Sequence, residues 1–324
     1  MKTEVLKEEG LKIGARLIRE GELVAFPTET VYGLGADAFN EQAVINIFTA
    51  KGRPQDNPLI VHIDSVDKLD DVAYATPLAV RLFDKFSPGP LTLVLNKKPC
   101  VSDVVSAGLS TVAVRIPKHA MARELIRLSG TPIAAPSANV SGRPSPTCAS
   151  DVYADMHGKI PLILDGGDCD VGIESTVLDL TGDTPTVLRP GYITIEMLLN
   201  EFEKVKTVTG KVIVAKSPGM KHKHYAPSCP MVLGTGRDEL IALYDKAVND
   251  GYKPVILTTY TDGKDLDNRR FIDMGKSEKE VSHNLFTTLR RAEKEYDYIV
   301  SERVNEVGLG VSVMNRMKKA AGVD

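Results

Sequence analysis

The chain has 324 residues, 43% of them hydrophobic and 26% charged, which is long enough for two domains with a core each and unlike any disordered or fibrous composition. Forty Lys plus Arg against 43 Asp plus Glu give a formal net charge of -3. That balance excludes a strongly basic nucleic-acid coat protein but not a local cationic site.

The first elements are read from periodicity. Leu11, Ala15 and Ile18 recur at helical spacing, Gly21 closes that helix, and the apolar strand Leu23-Val24-Ala25-Phe26 follows. Ala43, Val44, Ile47 and Phe48 form a second helical stripe, stopped by Gly52 and Pro54. Short strands are then expected at LIVHI, PLTLVL, TVAVRIP, TPIAA, LILD, STVLDL and TVLRP, with helices over PLAVRLFDKF and HAMARELIRLSG. A mixed α/β sheet accounts for this alternation.

Charge marks a boundary that hydropathy misses. Residues 1–203 carry 19 Lys/Arg and 27 Asp/Glu, whereas residues 204–230 carry six lysines (Lys204, Lys206, Lys211, Lys216, Lys221 and Lys223) and no acid. Such a run is usually a solvated linker, and it also suits a strap over an anionic ligand. Beyond it, residues 231–324 repeat strand and helix: MVLGTG, a helix, PVILTTY, FIDMG, a long helix through Asn284 to Glu295, and YDYIVSERV. This predicts a small βαβ-type domain with a parallel sheet.

The common nucleotide and metal signatures fail. Gly275-Lys276-Ser277 lacks the glycine a phosphate-binding loop needs at position 270, which is Arg, so it reads as a capped helix start. Gly33, Gly35 and Ala38 fit a dinucleotide fingerprint only weakly. Cys100, Cys148, Cys169 and Cys229 lie far apart with no CxxC pair, so neither a zinc site nor a disulfide framework is expected. No apolar leader opens the chain and no run of about 18 apolar residues occurs, so a cytoplasmic protein without a membrane segment is expected.

More informative is Lys51-Gly52-Arg53-Pro54-Gln55-Asp56-Asn57-Pro58, where glycine and two prolines forbid a continued helix and present two cations on a rigid loop. It suits polyphosphate, and equally a helix end where cations meet the dipole. Pro27 to Gly35 and Ala135 to Gly142 set small polar groups just past strands, where α/β sheets place ligands; in the second, Ser137, Asn139 and Ser141 alternate and face one ligand if the segment stays extended. Arg115 and Arg189 lie inside apolar strands and need a partner, structural or substrate, and His62 in LIVHI reads by itself as a core histidine. Together these make a collection of strand-end sites whose cations concentrate in an otherwise acidic segment.

PTETVYGLG, KGRPQDNPL, SPGPLTLVL, TVAVRIP, APSANVSGRPSPT, IESTVLDL and VLRPG, in this order, closely resemble the YrdC-type domain of threonylcarbamoyl-AMP synthases, and SPGMKHKHYAP with the added C-terminal segment resembles the long two-domain form. The resemblance implies a YrdC-type twisted mixed sheet with flanking helices over 1–203, a basic linker at 204–230 closing over the active site, and a smaller Rossmann-like α/β domain at 231–324. It implies an enzyme that makes threonylcarbamoyl-AMP from L-threonine, bicarbonate and ATP with release of pyrophosphate, for modification of tRNA next to the anticodon. Lys51 and Arg53 are then expected to be catalytic. Thr30, His62, Arg115 and Ser175 are expected around threonine. Lys51, Arg53, Asn57, Thr111, Ala135, Ser137, Asn139, Ser145, Arg189 and Tyr225 are expected around ATP. Mg2+ would be held mainly by the phosphates rather than by a protein site. The implied partner is a transiently bound tRNA-modifying threonylcarbamoyl transferase complex, with room for tRNA itself. The alternative is a double-stranded RNA or tRNA binding module without that activity, which the acidic balance and 6% aromatic content disfavour.

Overall fold

The computed structural model describes residues 1–208, 224–259 and 266–323. The chain divides into two compact units: the first spans Met1–Ser141, Pro146–Asp170 and Glu174–His222, and the second Gly142–Ser145, Val171–Ile173 and Lys223–Asp324.

In the first unit the elements run β1 (Glu4–Leu6), α1 (Leu11–Arg19), β2 (Val24–Phe26), β3 (Gly33–Asp37), α2 (Glu41–Lys51), β4 (Ile60–His62), α3 (Pro77–Phe86), β5 (Leu91–Asn96), α4 (Asp103–Ser106), β6 (Thr111–Arg115), α5 (Ala120–Ser129), β7 (Ile133–Ala135), α6 (Ala149–Met156), β8 (Leu162–Leu164), β9 (Thr176–Asp179), β10 (Thr186–Arg189), α7 (Ile195–Leu199) and β11 (Lys206–Thr207). Some helix ends have a local cause. Asn40 accepts the Ala43 N–H at the head of α2, Thr76 accepts the Ala79 N–H with Pro77 in the first turn of α3, and Gly52 ends α2 in the left-handed region at φ 60°.

The strands join in one mixed sheet of order β1-β8-β2-β3-β7-β4-β6-β5-β9-β10-β11. One face is the main core, where Val61, Leu93, Val112, Val114 and Leu178 meet α2, α3, α4 and α6. On the other face α1 and α5 cover the part built on Val24, Phe26, Ile133 and Leu162. Farther along that face Ile60, Val94, Ala113 and Val177 form a small apolar patch containing no helical residue. His62, Arg115 and Arg189 stand beside it.

In the second unit β12 (Met231–Gly234), α8 (Gly236–Asn249), β13 (Pro254–Thr258), β14 (Phe271–Asp273), α9 (Glu278–Glu295), β15 (Tyr298–Glu302) and α10 (Leu309–Ala321) make a four-stranded, all-parallel sheet of order β12-β15-β13-β14. Ser277 caps α9 by accepting the Glu280 N–H, so Gly275-Lys276-Ser277 is a helix start, as its missing glycine predicts.

Two short segments belong to this unit although they lie early in the chain. Arg290 donates to the Pro144 carbonyl (2.5 Å) and Arg143 pairs with Glu293. Ser282 donates to the Val171 carbonyl (2.8 Å), and a Cβ on Gly172 would stand 2.4 Å from the carbonyl oxygens of Ser282 and His283. No other residue fits there at its φ of 77°.

Candidate functional site

Strand register builds the site. Ile133, His62, Arg115, Thr92, Val177 and Arg189 are successive pairing partners across β7, β4, β6, β5, β9 and β10. Behind them Ala135, Ile60, Ala113, Val94 and Asp179 form a second row. Register partners share a face and neighbours along a strand alternate. The mostly polar row therefore lies beside the apolar patch, while Val61, Val114 and Leu93 point into the main core. His62, Arg115 and Arg189 are the last residues of β4, β6 and β10, so the strand-end expectation holds, and register sets these ends side by side on one sheet face.

Three of the four residues expected around threonine come together there. Arg115, 4% exposed, lies 2.8 Å from Glu29 Oε1 in an ion pair, although the approach is off the hydrogen-bond line, and its Nε donates to the Gly89 carbonyl at 3.4 Å. His62 packs edge-on against Phe26, with ring centres 5.9 Å apart, and its buried Nδ1 has no hydrogen-bond partner among the described residues. Burial, then the neighbouring Arg115 charge, pushes the His62 pKa down to about 3, so its imidazole is neutral at pH 7. Ser175 exchanges a 2.7 Å hydrogen bond with Thr92 and accepts from Arg189 Nη2 at 3.1 Å, while Arg189 Nε donates to the Ser175 carbonyl. Thr30, fully buried, shares a 2.8 Å hydrogen bond with Thr28 and stands next to Glu29 in the chain.

The residues expected around ATP fall into several groups. Lys51, only 2% exposed, donates from Nζ to the carbonyls of Ser137 and Asn139, each at 2.5 Å, and the Ser141 N–H returns to the Lys51 carbonyl. Lys51 is thus more than a cation at a helix end: it clamps the 137–141 segment. Ser137 Oγ donates to Asn139 Oδ1. Arg53 donates to the carbonyls of Asn57 and Pro58, just before β4. Ala135 sits in the second row and Thr111 opens β6 opposite Asn96. Ser145 and Tyr225 belong to the second unit. There Tyr225, at φ 63° and 4% exposed, stacks on Phe286 at 5.3 Å.

Two further expectations change. Gly33 and Gly35 lie inside β3, where a Cβ would stand 3.0 Å and 2.8 Å from the Phe26 ring, so they make room for that ring within the sheet. The 137–141 segment does not stay extended: it bends at Ala138 and Asn139 and turns at Ser141, and the bend brings Ser137 Oγ onto Asn139 Oδ1. Of the basic strap, Lys204 and Lys206 are exposed, the latter in β11; Lys211, Lys216, Lys221 and Lys223 lie outside the described residues. An open cavity of about 600 Å³ beside Gly52 shares only Lys51 with the expected site.

Sequence reasoning missed Glu29 and Thr92. Both stand within the motifs PTETVYGLG and SPGPLTLVL, but only register and the loop after β2 bring them to Arg115 and Ser175.

Fold and site together define a mixed α/β protein whose buried arginines and neutral histidine share a sheet face, an arrangement suited to a small anionic substrate. By comparison the chain belongs to the Sua5, YciO and YrdC family: the family model described as "Telomere recombination" matches residues 16–191, and that described as "Threonylcarbamoyl-AMP synthase, C-terminal domain" matches residues 193–322. Threonylcarbamoyl-AMP synthases of Pyrococcus abyssi and Bacillus subtilis are 47% and 44% identical to it, over 98% and 95% of this chain and 96% and 92% of theirs. The crystal structure of Pyrococcus abyssi Sua5 complexed with L-threonine matches with a TM-score of 0.93 at 45% identity, covering 99% of this chain and 98% of that one.

Proposed function

We propose that this chain is the enzyme that makes threonylcarbamoyl-AMP from L-threonine, bicarbonate and ATP, for modification of tRNA beside the anticodon. The single observation that supports this most is the polar row of the sheet: a buried arginine and a neutral histidine with an unpartnered nitrogen, beside the Ser175 hydroxyl fixed on Thr92 of that row, grouped as an α-amino acid requires. Arg115 takes the threonine carboxylate by charge-assisted hydrogen bonds, and His62, Ser175 and Thr30 meet the remaining polar atoms. The amine attacks bicarbonate, giving the carbamate and water. A carbamate oxygen then attacks the α-phosphorus of ATP and pyrophosphate leaves.

No side chain acts as a nucleophile in this scheme, so the protein contributes position and charge. Lys51 and Arg53 offset the phosphate charge, and Asn57, Thr111, the Ala135 backbone, Ser137, Asn139, Ser145, Arg189 and Tyr225 complete the nucleotide site. Among the described residues no three His, Cys, Asp or Glu side chains gather as a metal cage. Mg2+ would arrive on ATP oxygens with its water and offset phosphate charge there. Residues 204–230 act as a strap over the bound nucleotide. The product passes to a tRNA-modifying transferase complex, and the setting is the cytoplasm; no helix among the described residues is long and apolar enough to cross a membrane.

An RNA-binding module is the weaker reading. Lys51, Arg115 and Arg189 are at most 4% exposed, out of reach of a phosphate backbone that needs surface cations. The deciding experiment is pyrophosphate release from ATP with L-threonine and bicarbonate omitted in turn. Release that needs both is expected; release indifferent to threonine removes the proposal.

A further inference from the structure

We propose that Glu29 is a positioning residue for the amino-acid substrate: it holds the Arg115 guanidinium in one orientation and supplies its counter-charge. The inference rests on the reading of Arg115 as the carboxylate partner, and it assigns work to a residue that reading leaves idle. A guanidinium buried without a counter-ion is costly, and Arg115 is as buried as Glu29, each at 4% exposure. Glu29 is itself fixed. Its Oε2 accepts the Lys118 N–H at 2.9 Å, while Oε1 lies 2.8 Å from Arg115 Nη2. The Gly89 carbonyl takes the neighbouring Arg115 Nε.

The chain of contacts therefore runs from a backbone amide through a carboxylate to the guanidinium. Among the described residues the polar partners of the Arg115 side chain are Gly89 and Glu29, so most of its five N–H groups stay available to a ligand. An arginine held through Nε and Nη2 has already lost the rotamer freedom that binding would otherwise remove, and such preorganisation appears as affinity. The contact of Glu29 with Arg115 lies in the polar row's surroundings, whereas the Lys51 clamp on Ser137 and Asn139 involves neither residue. Loss of the Glu29 charge is therefore expected to be felt by threonine and not by ATP.

The test is binding of L-threonine and of ATP, each measured by titration calorimetry on the full-length protein, before and after Glu29→Gln. The expected result is a rise of about tenfold in the threonine Kd with the ATP Kd within twofold, together with a lower Tm because the buried Arg115 charge loses its counter-ion. Unchanged threonine affinity overturns the proposal, and so does a parallel loss of both ligands, which would mark Glu29 as merely structural. Should Glu29→Gln fail to fold, Glu29→Asp keeps the charge and withdraws it by one methylene, and the same split between ligands is expected at smaller amplitude, its absence again overturning the proposal. A parent protein that binds no threonine would instead remove the functional reading itself, which keeps the two failures apart.

Discussion

His62 and Lys51 carry the sharpest expectations at the level of single side chains. With a native pKa of about 3 against an ordinary value of 6.5, only the unfolded chain takes up the His62 proton between those limits. Stability from this residue is therefore intact above about pH 6.5 and declines as the pH falls toward 3, by at most about 1.4 kcal/mol per pH unit. His62→Gln, neutral throughout, is expected to lose less Tm between pH 7 and pH 5 than the parent; an identical loss in thermal melts would contradict the assignment. Lys51→Met keeps the buried stem but leaves the Ser137 and Asn139 carbonyls without their donor. We expect kcat/KM for pyrophosphate release to fall about 100-fold, equivalent to about 2.7 kcal/mol in the transition state, with a loss of a few degrees in Tm. Near-parental turnover would show that the clamp is structural alone.

Among the elements, β6 separates function from stability within five residues, because Ala113 and Arg115 face the site and Val112 and Val114 face the core. Val114→Ala should cost about 2 kcal/mol of stability through the cavity it leaves, with KM values unchanged. Ala113→Leu instead crowds the patch between Ile60 and Val94, and a raised KM with a smaller Tm change is expected. Denaturant melts and steady-state kinetics on both variants check the contrast, and similar profiles for the two would refute the assignment of faces. The elements themselves were legible in the sequence. Pro77 to Phe86 reads as a helix from its own pattern and is one, and Gly52 marks the end of α2 where its φ requires glycine. The site was legible only as a set of residues. That His62, Arg115, Thr92 and Arg189 form one row depends on pairing across β4, β6, β5, β9 and β10, and the order of strands is set by the tertiary fold. Edge strand β1 was not legible because three residues carry too little pattern. Helix α10 was not legible because its first turns hold Gly310, Val311 and Val313, residues of low helix propensity whose place in a helix is decided by packing.

For the molecule as a whole, the division into units does not follow the chain. A fragment ending at residue 208 keeps β11 beside β10 and is expected to fold, but it strips residues 142–145 and 171–173 of the helix α9 groups that hold them. Faster amide exchange in those two segments and weaker ATP binding by calorimetry are expected; full ATP affinity in the fragment would show that the second unit contributes nothing to the nucleotide site. The same interleaving sets a timetable for synthesis. Arg143 leaves the ribosome 150 residues ahead of Glu293, and Val171 precedes Ser282 by 111. At about 5–20 residues per second the wait is roughly 8–30 s for the first pair. Even after β11 has completed the large sheet, the growing chain still lacks the anchors for both segments, which stay unheld until α9 emerges.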